Sequence, residues 1–161
     1  MDNNVKIHEA KFGSLTLYNG PDNDFYWIGF VCSSSDLFIE KIPVYIFTKE
    51  KNLSKETIQF VENIILNIDE YLEKSIVFIK HTLIENSKEY KIQENEKELL
   101  VNESILPINL PEFTFWENSN EWMIRFTEGK FSICDPLGIG ITFKLTEPSS
   151  VDNLEDCEFI E

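Results

Sequence analysis

Between Ser54 and about Asn86 apolar residues recur at intervals of three and four, and no other stretch limits the folds open to this chain so strongly. Ile58, Val61, Ile65, Ile68, Leu72, Ile76, Ile79 and Leu83 form one stripe, and Phe60, Ile64, Tyr71 and Phe78 widen it beyond a coiled-coil seam. Ser54, with Glu56 close behind it, supplies a helix start. A stripe this broad needs a sheet to cover it. Unbroken, the helix would run roughly 45 Å at 1.5 Å per residue, longer than a sheet of this size covers. The spacing therefore predicts a packed helix with a kink or break near Asn67-Ile68-Asp69, or else a dimer-forming helix whose surplus apolar surface a second copy buries.

The flanks have the opposite signature. From Val5 to Glu50, turn residues at Phe12-Gly13-Ser14, Asn19-Gly20-Pro21-Asp22-Asn23 and Ser33-Ser34-Ser35-Asp36 cut the chain into short apolar and aromatic segments. The spacing predicts four strands in an antiparallel meander. Pro43 lies in the last of them and lacks an amide proton, which predicts an edge strand or a bulge there. Further on, Glu94 to Leu100 has the pattern of a short helix and Ile105-Leu106-Pro107-Ile108 that of an extended connector. Strand patterns return at Phe113–Trp116, Glu121–Phe126, Lys130–Ile133 and Gly138–Leu145. The polar Glu117-Asn118-Ser119-Asn120 is a hairpin-length loop between the first two. The fold class that follows is α+β, with antiparallel sheet packed against one long amphipathic helix. Residues 1–147 are expected to form a single domain, and 148–161, rich in Asp and Glu, a mobile acidic tail.

Charge narrows the range of partners. Asp and Glu number 29 against 14 Lys and Arg, a formal net charge of -15, which disfavours nucleic acid and anionic membrane as ligands. The N-terminal Met1-Asp2-Asn3-Asn4-Val5-Lys6 has no secretory pattern, so the expected location is cytoplasmic. The three cysteines, Cys32, Cys134 and Cys157, include no C-x-x-C pair and argue against both a disulfide framework and a zinc knuckle.

No constellation of residues specifies a reaction, and the chain is expected to be neither an enzyme nor a holder of metal or cofactor. His8 and His81 have no ligand-spaced Cys, Asp or Glu beside them. Ser33-Ser34-Ser35 lacks the Gly-x-Ser-x-Gly elbow and is better read as a turn. Gly138-Ile139-Gly140 lacks the third glycine and the following helix of a dinucleotide site, so those glycines serve backbone geometry. Acidic residues are so many that a hydrolase built on two carboxylates would have to show itself as a cleft holding both.

Phe12-Gly13-Ser14-Leu15-Thr16-Leu17, the strand containing Trp27, the long amphipathic stretch and Asp135-Pro136-Leu137-Gly138-Ile139-Gly140-Ile141 together resemble small acidic bacterial domains akin to the immunity proteins that accompany polymorphic toxins. The resemblance implies an α+β protein that binds and neutralises a partner, and it transfers no catalytic residue. Charge points the same way independently, because an acidic surface accelerates capture of a basic toxin. Candidate contacts are Glu117 and Glu121, which flank the hairpin from Trp116 to Trp122, and Asp135 at a loop tip. The alternative is a bacterial or phage binding and regulatory domain, homodimeric through surplus helix surface.

Overall fold

The computed structural model describes residues 5–102, 106–152 and Leu154. Its body is one eight-stranded sheet whose strands lie side by side in chain order. The first four are β1 (Ile7–Ala10), β2 (Gly13–Asn19), β3 (Phe25–Val31) and β4 (Ile42–Thr48), an antiparallel meander cut at the turns where the sequence places them. Three helices follow: α1 (Lys55–Ile65), α2 (Ile68–Glu85) and α3 (Glu94–Asn102). A second antiparallel meander completes the sheet, with β5 (Ile108–Trp116), β6 (Glu121–Gly129), β7 (Ile139–Lys144) and β8 (Glu147–Asp152). The two meanders meet where β4 pairs with β5 in parallel. Only that join needs a long crossover, and the three helices are that crossover.

The architecture is α+β, but the sheet dominates it and the single long helix is replaced by two. Ser54 accepts from the Thr57 amide at 3.1 Å and starts α1. The helix ends at Leu66, where the Asn67 amide turns back to the Ile64 carbonyl at 3.0 Å and the Asn67 side chain donates to the Asn63 carbonyl at 2.8 Å. A fresh helix with Asp69 and Glu70 in its first turn then begins, which suits the positive end of its dipole. Ser33 and Ser34, in the turn after β3, donate hydroxyl protons to the Asp69 carboxylate and tie the break to the sheet. At 11 and 18 residues the two helices span about 16 and 27 Å, lengths a sheet can cover. No helix among the described residues is long and apolar enough to cross a membrane.

Three other expectations need correction. Pro43 is not on an edge: β4 is interior, and Pro43 is accommodated because the ladder with β5 begins one residue later, at Val44. Lys130–Ile133 is not a strand. The Ser132 amide donates to the Glu96 carboxylate of α3 at 2.7 Å and the Cys134 amide to the Phe131 carbonyl at 2.9 Å, which winds Ser132–Cys134 into a 3-10 turn. The segment from 148 onward is not all tail, since β8 extends to Asp152 and buries Val151; the acids beyond Asp152 and Cys157 lie outside the described residues.

The core fills the space between the helices and one face of the sheet. Trp122 of β6 is its centre, stacked on Phe143 with ring centroids 4.3 Å apart and on Phe115 at 5.3 Å, with the Tyr71 ring of α2 edge-on at 5.2 Å. Its indole N–H donates to the Leu145 carbonyl at 2.7 Å, so the burial leaves no donor unmet. Gly138 enters β7 with φ +86°, and a Cβ there would lie 2.2 Å from the Phe126 carbonyl oxygen, so that position needs glycine.

Candidate binding face

Because side chains alternate along a strand, the residues between the core positions form the other face of the sheet, and the helices leave that face open. Register places Tyr18, Tyr26, Phe47 and Trp116 in one row across β2, β3, β4 and β5. Their ring centroids are spaced 5.6, 5.9 and 6.4 Å apart, with neighbouring rings inclined by 19°, 35° and 19°. Next to this row runs a second, Thr16, Ile28, Tyr45, Thr114, Met123 and Thr142. Tyr18 is 46 % exposed and Phe30, further along β3, 57 %, while the rest of the aromatic row is half-buried by its own neighbours. Exposed aromatic rings gathered on one sheet face make that face a candidate contact surface.

The row lies at the end of the sheet where the β2–β3, β4–α1, β5–β6 and β7–β8 connections gather. These connections and the strand ends beside them carry Asp22, Asp24, Glu50, Glu117, Glu121 and Glu147 against Lys49, Lys51 and Lys144, with Lys6 reaching Asn52 and Lys74 reaching Glu147, so the rim has a small acidic excess. Several of these charges are already engaged. Lys49 pairs with Asp24 at 2.8 Å, which holds its ammonium above the ordinary lysine range, and Lys144 lies 3.6 Å from Glu121. Glu117 accepts from the Lys49 amide at 3.2 Å and its own amide donates to the Phe47 carbonyl at 2.9 Å, which fixes the hairpin against β4.

Two of the three candidates read from the sequence therefore stand beside the row, and the third does not. Glu117 and Glu121 flank the β5–β6 hairpin as expected. Asp135 is exposed, but it follows the far end of β6, a strand of nine residues or about 30 Å, and belongs to the opposite rim. Of the hairpin tryptophans, Trp122 is core and Trp116 belongs to the open face. The aromatic row itself escaped sequence reasoning. Its trace in the sequence is that Phe25–Val31 and Ile42–Phe47 are apolar at both parities, whereas a sheet covered on one side needs only one.

Two pockets among the described residues lie away from the aromatic row, toward the opposite end of the sheet. A groove of about 490 Å³ between the turn after β3 and the α1–α2 break includes Phe30, Cys32, Lys41 and Asp69 in its walls. Asp69 is its single carboxylate, and the hydroxyl protons of Ser33 and Ser34 hold it below the usual carboxylate range. A pocket of about 180 Å³ is lined by Glu40, Glu112 and Pro43 among others, which is smaller than the roughly 300 Å³ at which ligand sites begin. Burial raises the Glu112 carboxyl above its ordinary value, opposed by Arg125 at 3.7 Å, whose Nε donates to the Leu137 carbonyl at 2.7 Å. His81 faces Glu85 at 3.3 Å on the exposed side of α2, and His8 packs edge-on to Trp27. Cys134 is buried, and desolvation pushes its thiol up to about 11, which keeps it protonated at neutral pH.

Comparison of the chain with protein-family models, with curated proteins and with solved structures returns no match.

Proposed function

We propose that this chain is a non-catalytic protein-binding domain of the immunity or antitoxin type, which neutralises a cationic toxin by covering it with the open face of the sheet. One observation carries the reading: an aromatic row that none of the described helices covers, Tyr18, Tyr26, Phe47 and Trp116, bordered by an acidic rim on a molecule of net charge -15. Aromatic side chains supply anchoring area at low entropic cost, and the surrounding carboxylates steer a basic protein toward them.

Co-expression with the products of neighbouring genes, scored for rescue of growth, tests the function. Reversing Glu117 and Glu121 together to lysine should slow association with the rescued toxin by about tenfold at low salt, a larger effect than the few degrees of melting temperature that loss of the Lys49 and Lys144 contacts costs. Turnover of a small compound by the metal-free protein, abolished by one substitution, would sink the reading.

A second reading has its own observation. Val77 and Ile84 lie seven residues apart, on one side of α2, and are 62 % and 43 % exposed, apolar helix surface that suits a homodimeric regulatory domain. Sedimentation of the protein alone separates the two.

A further inference from the structure

The two edges of the sheet are finished differently. β8 carries Pro148, Glu147 and Asp152, its ladder with β7 is irregular between Thr142 and Phe143, and the Tyr90 hydroxyl donates to its Val151 carbonyl at 3.3 Å. These are the devices that stop a sheet from growing. β1 has no proline and no irregularity in its pairing with β2, and among the described residues nothing pairs with its outer side. Val5 and Ile7 beside that edge are 58 % and 56 % exposed.

The backbone of β1 is arranged to accept another strand. Leu17 donates its amide to the Lys6 carbonyl at 3.0 Å, and the register pairs Ile7 with Thr16 and His8 with Leu15. In an antiparallel pair the residues alternate, so Lys6, His8 and Ala10 direct their N–H and C=O groups to β2, whereas Val5, Ile7 and Glu9 direct theirs away from the sheet. On the open face Ile7 adjoins Thr16 and Glu9 adjoins Ser14, so the edge continues the rows of the candidate binding face.

We propose that the outer edge of β1 is a strand-addition site, which takes an extended segment of the basic partner with an apolar residue beside Ile7 and a lysine or arginine beside Glu9. The partner's charge is the only part of this that rests on the function proposed above; the site rests on the bare edge. Charge complementarity selects this occupant over a second copy, since pairing two copies would bring together two molecules each of formal net charge -15. Main-chain hydrogen bonds would supply the affinity, and Ile7 and Glu9 the choice of side chains.

The probe is a labelled peptide of about ten residues alternating valine and lysine, the length of a strand, with a control N-methylated at every second residue that keeps the charge and loses the donors of one edge. Binding should protect the amides of Val5, Ile7 and Glu9 from hydrogen exchange. Ile7→Pro removes an outward N–H that β2 does not use and should weaken the peptide at least about tenfold, while Ile7→Thr, which keeps the N–H, should stay within about twofold. Both variants should retain the circular dichroism of the parent, and Val5→Pro gives the same reading if Ile7→Pro fails to fold. Equal binding of the methylated peptide, or of Ile7→Pro and Ile7→Thr, overturns the proposal. So does a dimer of the protein alone that Ile7→Pro dissolves, which would make a second copy the occupant. An Ile7→Pro protein that still captures the cationic toxin with undiminished affinity removes the edge site and leaves the proposed function standing; a parent that binds no toxin yet holds the peptide, and loses it on Ile7→Pro, removes the proposed function and leaves the edge site.

Discussion

Along β6, Trp122, Ile124 and Phe126 are enclosed beneath the helices, while Met123 and Arg125, each one residue away, look out of the opposite face. Both faces are rich in aromatic rings. Those under the helices pack in three dimensions, with Trp122 touched by rings from β5, β7 and α2; those outside stack only sideways, each on its strand neighbours. The difference teaches that aromatic content does not say where a core is. Rings closed in on every side hold the fold, and rings closed in only at their flanks keep an edge available for another molecule.

That contrast is open to measurement. Trp122→Ala should cost about 3–5 kcal/mol in urea unfolding, because it empties the centre of the enclosed cluster. Phe47→Ala, in the outer row, should cost about 1 kcal/mol of stability while removing partner binding. Equal losses at the two sites would erase the distinction between the faces.

Two carboxylates sharpen the comparison further, since their environments push them in opposite directions. Burial alone would raise Glu96, but it accepts from the amides of Gln93 at 3.0 Å and Ser132 at 2.7 Å, and its carboxyl falls below the ordinary 4.5. Glu96→Ala should destabilise by about 1–3 kcal/mol at neutral pH by stranding two donors. A lowered value in the fold means that the charge-linked stabilisation is complete above pH 4.5 and is lost as acid carries the protein through the lower folded value, so the gap between parent and variant should narrow there. Glu112, raised by burial, carries the reverse sign: its ionised form burdens the fold as pH climbs from 4.5 through the higher folded value. Glu112→Gln should therefore change stability by less than about 1 kcal/mol, in the favourable direction at neutral pH and with no difference in acid, since Arg125 loses its ion pair in exchange.

Local chemistry made much of the fold readable. Gly13, Gly20 and Pro21 mark turns by their backbone limits, and the Ser54 cap and the stripe behind it mark helix, so the first four strands and the start of α1 follow from short-range signals. The misreadings have distant causes. Ser132 winds into a turn because Glu96 reaches it from α3, and Pro43 sits in an interior strand because the parallel ladder starts just past it. The candidate site divides in the same way. Glu117 and Glu121 were legible because a polar loop between two aromatic strands announces a hairpin. The aromatic row was not, because bringing Phe47 beside Trp116 depends on a parallel pairing across three intervening helices, which no window of local sequence contains.

That parallel pairing divides the molecule's history of assembly. Each meander can zip up from its own tight turns, but β4 and β5 meet only after the long excursion between them has been drawn in, at a large loop-closure cost. The seam in the middle of the sheet should thus be the slowest strand contact to form, and the outer aromatic row, which straddles it, exists complete only once the whole chain has come together.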